Sequence, residues 1–462
     1  MLTIAAAPLT DAGSGQLILA AVLGIVVVIL LIAWAKWHPF LALIMGSAVL
    51  GLVAGVGPAD IVTSFTNGLG STVGSVGLLI ALGSMIGGLL AQSGGADSIV
   101  RRIVDGVSGA ALPWAMAGVA ALIGLPLFFE VGVVLLVPIV LLVARRTNIG
   151  LLRVGIPALA GLSVLHGLVP PHPGPLVAIA SLHADLGLTL MFGLICAVPT
   201  VIIAGPVFGN FIAKRVSVPV PPLLEREEKE ATEEGAGPVR RDPGVWPAVL
   251  TVLLPIVLML ARGIAELTLD KSNGVRSVLE VLGNPPVALL LGVLLAMWTL
   301  GKRAGFDRRQ TSAVIGGSLP PIAGILLIVA AGGGFKQVLV DAGVGNVVAD
   351  AAKDAHVNAL LLGFLVAVGI RVATGSATVA TITAAGIVAP LAGTLDHPTV
   401  ALLALAIGCG SLFFSHVNDA GFWLVKEYFG MTVGQTIKTW SVMETIISLV
   451  GFGCVMLLSL IV

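Results

Sequence analysis

The chain has 462 residues, of which 57% are hydrophobic and only 10% charged, and its formal net charge is zero. With a mean hydropathy of +1.09, these values exclude a soluble domain, and a neutral balance gives no electrostatic footing for nucleic acid. Apolar runs of ~17–25 residues, each able to cross ~30 Å of hydrocarbon, recur along the chain and mark an all-α polytopic membrane protein. Short alternating segments of the kind that build a membrane barrel are missing.

The first run, Gln16 to Trp34, reads as a retained span. No basic stretch precedes it, and Ala5-Ala6-Ala7 comes before the apolar run rather than after it. Further spans are expected at about 40–57, 76–93, 154–180 and 188–212, and a second set at about 245–263, 285–300, 318–334, 398–424 and 440–461. Each set carries one extra apolar stretch between its third and fourth spans, at 111–144 and 357–393. The segment 216–244, with "LEREEKEATEEGAGPVRRD", is a charged linker in water. The expected division is therefore 1–215, linker 216–244, and 245–462.

Arg101, Arg102, Arg145 and Arg146 flank 111–144, so both its ends belong to one side of the bilayer. A re-entrant hairpin turning at "GLPLFFEVG" is the economical reading, and two short complete spans are the alternative. With the linker in the cytoplasm, eighteen of the twenty-four basic residues are cytoplasmic and five lie outside, with Arg371 left in an apolar stretch. Both termini are then expected outside. Five crossings per set place the two sets in opposite orientation, an inverted-topology repeat. That architecture brings broken helices together near the midplane of secondary transporters.

Two spans look broken. "LHGLVPPHPGPL" (165–176) holds four prolines, each of which removes a helical N–H. Its His166 and His172 titrate near neutrality when modestly exposed and can bond hydroxyls. "SHVNDAGFWL" (415–424) supplies His416, Asn418 and Asp419, a set suited to hydroxyl recognition. Asp419 is also a candidate proton or cation site; only seven residues from Lys426, it could instead sit solvated near the interface.

The two extra stretches carry the remaining candidates. In "GIRVATGSATVATITAA" (369–385), Arg371, Thr374, Gly375, Ser376 and Thr378 offer a cation, small donors and resumed helix N-termini for a carboxylate. The same small residues also favour close helix packing. Glu130, at the tip of the first hairpin, suits proton coupling or substrate contact; the alternative is an ion pair with Arg371. Cys196, Cys409 and Cys454 stand apart with no metal or redox spacing. Trp34, Trp37, Trp246, Trp298 and Trp440 fit interfacial belts.

With "GLPLFFEVGVVLLVPI", "HGLVPPHPGP", "ATGSATVATITAAGI" and "LFFSHVNDAGFWLVKEYFGMTVGQTIKTWSVMETI" in view, the chain resembles the gluconate permease (GntP) family of proton symporters, within the ion-transporter superfamily. The likeness runs nearly full length and is weakest at the N-terminus and the linker. It implies uptake of gluconate or a related sugar acid with protons at the plasma membrane of a bacterium. It also implies a homodimer with a scaffold and a mobile domain, no cofactor beyond the proton, and substrate held at the hairpin tips and broken-span loops. The alternative within transport is a Na⁺-coupled carboxylate carrier. A channel or an intramembrane enzyme is remote: no G-x-S-x-G, H-E-x-x-H or Walker A pattern occurs.

Overall fold

The computed structural model describes residues 9–107, 109–127, 129–147, 149–221, 241–270, 272–344, 347, 358–417 and 419–462. Among them every regular element is helical. Lipid dictates this, because a helix satisfies its own backbone where no water can. Among the described residues, seven helices are long and apolar enough to span a membrane, or eight if one bent pair is counted as a single span.

The first half opens with α1 (Ser14–Ala33) and α2 (Pro39–Val53). Next, α3 (Pro58–Thr72) runs through a π turn (Val73–Gly77) into α4 (Leu78–Gln92). The chain then bends by 64° into α5 (Gly95–Asp105). A pair of helices follows, α6 (Leu112–Gly124) and α7 (Phe129–Thr147), then α8 (Leu151–Leu168) and α9 (Pro173–Leu182). The half closes with α10 (Leu186–Ile202), continued by a π turn (Ile203–Val207) into α11 (Phe208–Ile212).

The second half comprises α12 (Val245–Thr268), α13 (Gly274–Leu282) and α14 (Pro285–Ala296), which a π turn (Met297–Lys302) extends. Then come α15 (Arg308–Gly317) and α16 (Pro320–Asp341). The paired helices α17 (Ala359–Thr374) and α18 (Ala377–Ala392) precede α19 (His397–Ser411) and α20 (Ala420–Tyr428). Last are α21 (Val433–Thr436), a π turn (Ile437–Ser441) and α22 (Val442–Leu458).

Starts and stops follow local chemistry. Proline occupies the first turn of α2, α3, α9, α14 and α19, where its missing N–H costs nothing. Asp185 caps α10 by accepting from Leu188 N at 2.7 Å, and Asp307 with Gln310 forms a full capping box on α15. The expected span 76–93 is the second part of a longer helix that begins at Pro58. Its first part is rich in Ser, Thr, Asn and Gly, which hid it from a search for apolar runs. The short amphipathic helices α5, α13 and α15 escaped for the same reason. The stretch 111–144 forms two helices that meet at Leu125–Leu127. With 13 residues, α6 is about 20 Å long, too short to cross the hydrocarbon alone. Most of the linker, residues 222–240, lies outside the described residues.

Helix pairings recur between the halves. α1 packs along α2 and α2 along α16, while α12 packs along α14 and α14 along α4. α6 packs along α8, and α17 along α19. A small core of Leu17, Val28, Leu43, Leu50, Ile61 and Phe335 joins α1, α2, α3 and α16, apart from the large core of the remaining helices. The two interrupted spans cross closely: a Cβ on Gly408 of α19 would stand 2.3 Å from the Gly167 carbonyl of α8. Lys336 on α16 donates from Nζ to the Ser181 carbonyl at the end of α9, at 2.6 Å.

Four of the five belt tryptophans are exposed as expected. Trp440 is not: it is 2% exposed and donates from Nε1 to Ser415 Oγ at 2.7 Å. An indole can be buried when its N–H finds an acceptor, and the break in the α19–α20 span supplies one.

Candidate functional site

Both interruptions leave helix ends pointing inward. α8 ends at Leu168, and the chain passes through a cis Pro170-Pro171 bond to His172, the N-cap of α9. α19 ends at Ser411, and Asp419 caps α20 by accepting from Gly421 N at 2.9 Å. Between α17 and α18, Gly375 takes the left-handed conformation, with φ of +76°, which glycine adopts without strain. Ser376 then caps α18 by accepting from Val379 N at 3.3 Å.

The turn between α17 and α18, the start of α20 and the last part of α8 enclose a cavity of about 240 Å³, a little below the ~300–1,000 Å³ that suits drug-sized ligands. Of the candidates named from sequence, His166, Arg371, Thr374, Gly375, Ser376, Thr378 and Asp419 line it. Phe129 from α7, Ser163 from α8, and Trp440 and Glu444 from the last long helix complete the polar and aromatic wall. The N-termini of α18 and α20 both open onto this space, so free amides and two positive dipole ends converge there.

Arg371 is 3% exposed and organises one side. Its Nη1 donates to the Gly375 carbonyl at 2.6 Å, closing the α17–α18 turn. Its Nη2 donates to Asp419 Oδ2 at 2.5 Å. The pair joins the helical pair α17–α18 to the break in the α19–α20 span. The Asp419 carboxylate also accepts from the Ser415 hydroxyl, and its side chain is 14% exposed. Ser415 is itself held by Trp440 Nε1 and, through its carbonyl, by the Ser441 hydroxyl.

The other candidates fall elsewhere. His172 is buried and bonds through Nε2 to the Gly124 carbonyl at 2.8 Å, at the end of α6. Its ring lies 5.4 Å from that of His166, so it braces the cavity wall from behind. His416 bonds back to the Phe414 carbonyl at 3.0 Å and is not part of the lining. Asn418 lies outside the described residues. Glu130 falls in the first turn of α7, and its side chain also lies outside the described residues. The ion pair offered for Glu130 with Arg371 meets a competitor in the observed Arg371–Asp419 pair.

Glu444 is the residue that sequence reading missed. It is 1% exposed on α22, and its Oε1 has no hydrogen-bond partner among the described residues. The signal was available in "TWSVMETIIS": an acid inside an apolar run is costly and marks function by default.

Known proteins resemble the chain along nearly its whole length. Residues 16–461 match the family model described as GntP family permease. A gluconate permease of Pseudomonas aeruginosa is 48% identical over 96% of this chain and 98% of its own length. The high-affinity gluconate transporter of Escherichia coli is 42% identical over 94% of this chain and 98% of its own. The Gnt-II system L-idonate transporter of the same organism is 40% identical over 93% of this chain and 95% of its own. Among solved structures, the Alcanivorax borkumensis YdaH transporter superposes with a TM-score of 0.61 at 14% identity, covering 91% of this chain and 98% of that one. At that identity the likeness shows the fold alone.

Proposed function

The chain belongs to the GntP permease family and is a transporter rather than an enzyme, and from that premise we propose that it takes up gluconate or a related sugar acid by proton symport. The observation that carries this reading is the cavity itself. Two helix N-termini, the Arg371 guanidinium and the side chains of Ser163, His166, Thr374, Ser376 and Thr378 converge on one small space. Amides at helix ends suit a carboxylate, and hydroxyls and imidazole suit a polyol chain. Gluconate and L-idonate, named for the relatives, are both polyhydroxylated monocarboxylates.

The sugar acid sits with its carboxylate towards Ser376–Thr378 and its hydroxyls towards His166 and Asp419. Arg371 and Asp419 neutralise each other, so the site keeps the dipole ends for the anion without a large net charge. Transport is by alternating access of an inverted repeat, supported by the helix pairings that recur in the two halves. α6–α11 and α17–α22 move as one body against α1–α4, α12, α14 and α16, elevator-fashion, with Lys336–Ser181 among the contacts between them. The working unit is a homodimer in the bacterial plasma membrane with both termini outside. Glu130 and Asp419 are the acids that sequence suggests for the proton. A proton on Asp419 would compete with the Arg371, Ser415 and Gly421 donors its oxygens already accept from, which counts against Asp419 and leaves Glu130 of the two.

The test is uptake of labelled gluconate into proteoliposomes of the full chain, driven separately by a pH gradient and by a sodium gradient, with a panel of aldonates as competitors. Accumulation driven by the pH gradient and competed by L-idonate is the expected result. Accumulation driven by sodium alone would replace the coupling ion, and no uptake of any aldonate would overturn the reading.

A further inference from the structure

Glu444 is the one acid whose carboxyl lines the cavity with an oxygen lacking a hydrogen-bond partner among the described residues. We infer that Glu444 carries the co-transported proton, an assignment that rests on the sugar-acid symport proposed above. Three observations support it.

First, the side chain is buried from bulk solvent but faces the cavity, so its proton exchanges only through the site that holds the substrate. Second, its surroundings are fixed. His166 and Ser163 on α8, Arg371 on α17 and Asp419 at the head of α20 share the cavity wall with it. The other helices packed on α22 are α10 and α19; apart from His397 at the far start of α19, their titratable residues are Cys196 and Cys409. Lys438, earlier on the same continuous helix, is exposed. Third, Arg371 already pairs through Nη2 with Asp419 at 2.5 Å, so an ionised Glu444 has to share that one guanidinium with a second carboxylate.

The coupling logic follows from charge alone. An ionised Glu444 and a substrate carboxylate in one small, poorly hydrated space repel each other. A proton on Glu444 removes the repulsion and adds an O–H donor for a substrate hydroxyl. Proton and anion therefore favour each other's binding, and the favour is reciprocal by linkage. The loaded site crosses the bilayer with the two charges cancelled: one proton gained, one anion gained. No bond other than the carboxyl O–H forms or breaks.

The experiment compares wild type, Glu444→Gln, Glu444→Asp and Glu130→Gln in proteoliposomes. Each is assayed for gluconate accumulation under a pH gradient of one unit, and for counterflow of labelled gluconate against unlabelled gluconate with no gradient. Wild type should accumulate gluconate several-fold, to about tenfold at the limit for one proton. Glu444→Gln should fall to the level seen without a gradient while counterflow stays measurable. Glu444→Asp should keep gradient-driven accumulation with a shifted pH midpoint, which provides the test if the glutamine variant does not fold. Unaltered accumulation by Glu444→Gln overturns the assignment, as does an unshifted midpoint in Glu444→Asp. Loss of both accumulation and gluconate binding in a folded Glu444→Gln assigns the residue to holding substrate and also overturns it. So does loss that follows Glu130→Gln and spares Glu444→Gln. Failure of wild type in counterflow as well as accumulation overturns the transport reading beneath it instead.

Discussion

Arg371 and Asp419 illustrate how much one contact does at this site. They are 48 residues apart, and their side chains are 4% and 14% exposed. Removing one partner of a buried pair strands the other's charge, a loss on the order of 3–5 kcal/mol. Asp419→Asn is therefore expected to lower the unfolding temperature in detergent by several degrees and to abolish gluconate uptake. Asp419→Glu should recover part of both. A variant as stable as wild type would show that the guanidinium finds another counter-charge. The residue types at this site were legible in the sequence, because Arg371, Asp419 and His166 are ionisable groups in apolar runs. Their partners were not. Which acid meets Arg371 depends on how four segments fold onto one another, and nothing local in "RVATGSATV" separates Glu130 from Asp419 or Glu444. Trp440 was misassigned on the same ground: a tryptophan near a span end reads as a belt residue until its buried acceptor, Ser415, is known.

At the scale of elements, the breaks in the spans were the readable feature. Proline chemistry places the interruption between α8 and α9 at Val169–His172, inside the stretch the prolines had marked. The crossing of the two broken helices was not readable, since Gly167 and Gly408 look like any other small residues in a membrane helix. Gly408→Ala puts a methyl 2.3 Å from the Gly167 carbonyl, an overpacking that costs about 1–3 kcal/mol. Gly316→Ala in α15, where nothing lies within 4 Å, should be neutral or slightly stabilising. Thermal unfolding of the two variants side by side checks this, and equal stabilities would contradict it.

The start of α12 gives a pH-dependent case. Asp242, just outside the span, accepts from the Ser98 hydroxyl, from Gly244 N at 2.8 Å and from Arg101 at 3.2 Å. The Ser98 bond first, then the Gly244 amide, hold its carboxyl below the usual carboxylate range. A folded value below the unfolded one stabilises the fold above the unfolded pKa and is lost as pH falls through the folded one. With the unfolded value at about 3.9, Asp242→Asn should be less stable than wild type at neutral pH. The difference should fade below about pH 4. A gap that persists unchanged to pH 2.5 would mean that the carboxylate's charge is not what Ser98 holds.

At the scale of the whole molecule, composition and hydropathy sufficed for an all-helical membrane protein, and the quoted motifs sufficed for the family. The polar first part of the long α3–α4 helix escaped because hydropathy sees only lipid-facing or core-facing apolar runs. Helix ends from both halves meet at one cavity, and that is where a sugar acid is proposed to bind. The most direct measurement is a density map of the full chain in lipid nanodiscs saturated with gluconate. Ligand density is expected among His166, Arg371, Ser376, Asp419 and Glu444, with the carboxylate at the N-terminus of α18. Density seated elsewhere, such as the space beside Lys336 and His183, with this cavity holding only water, would contradict it.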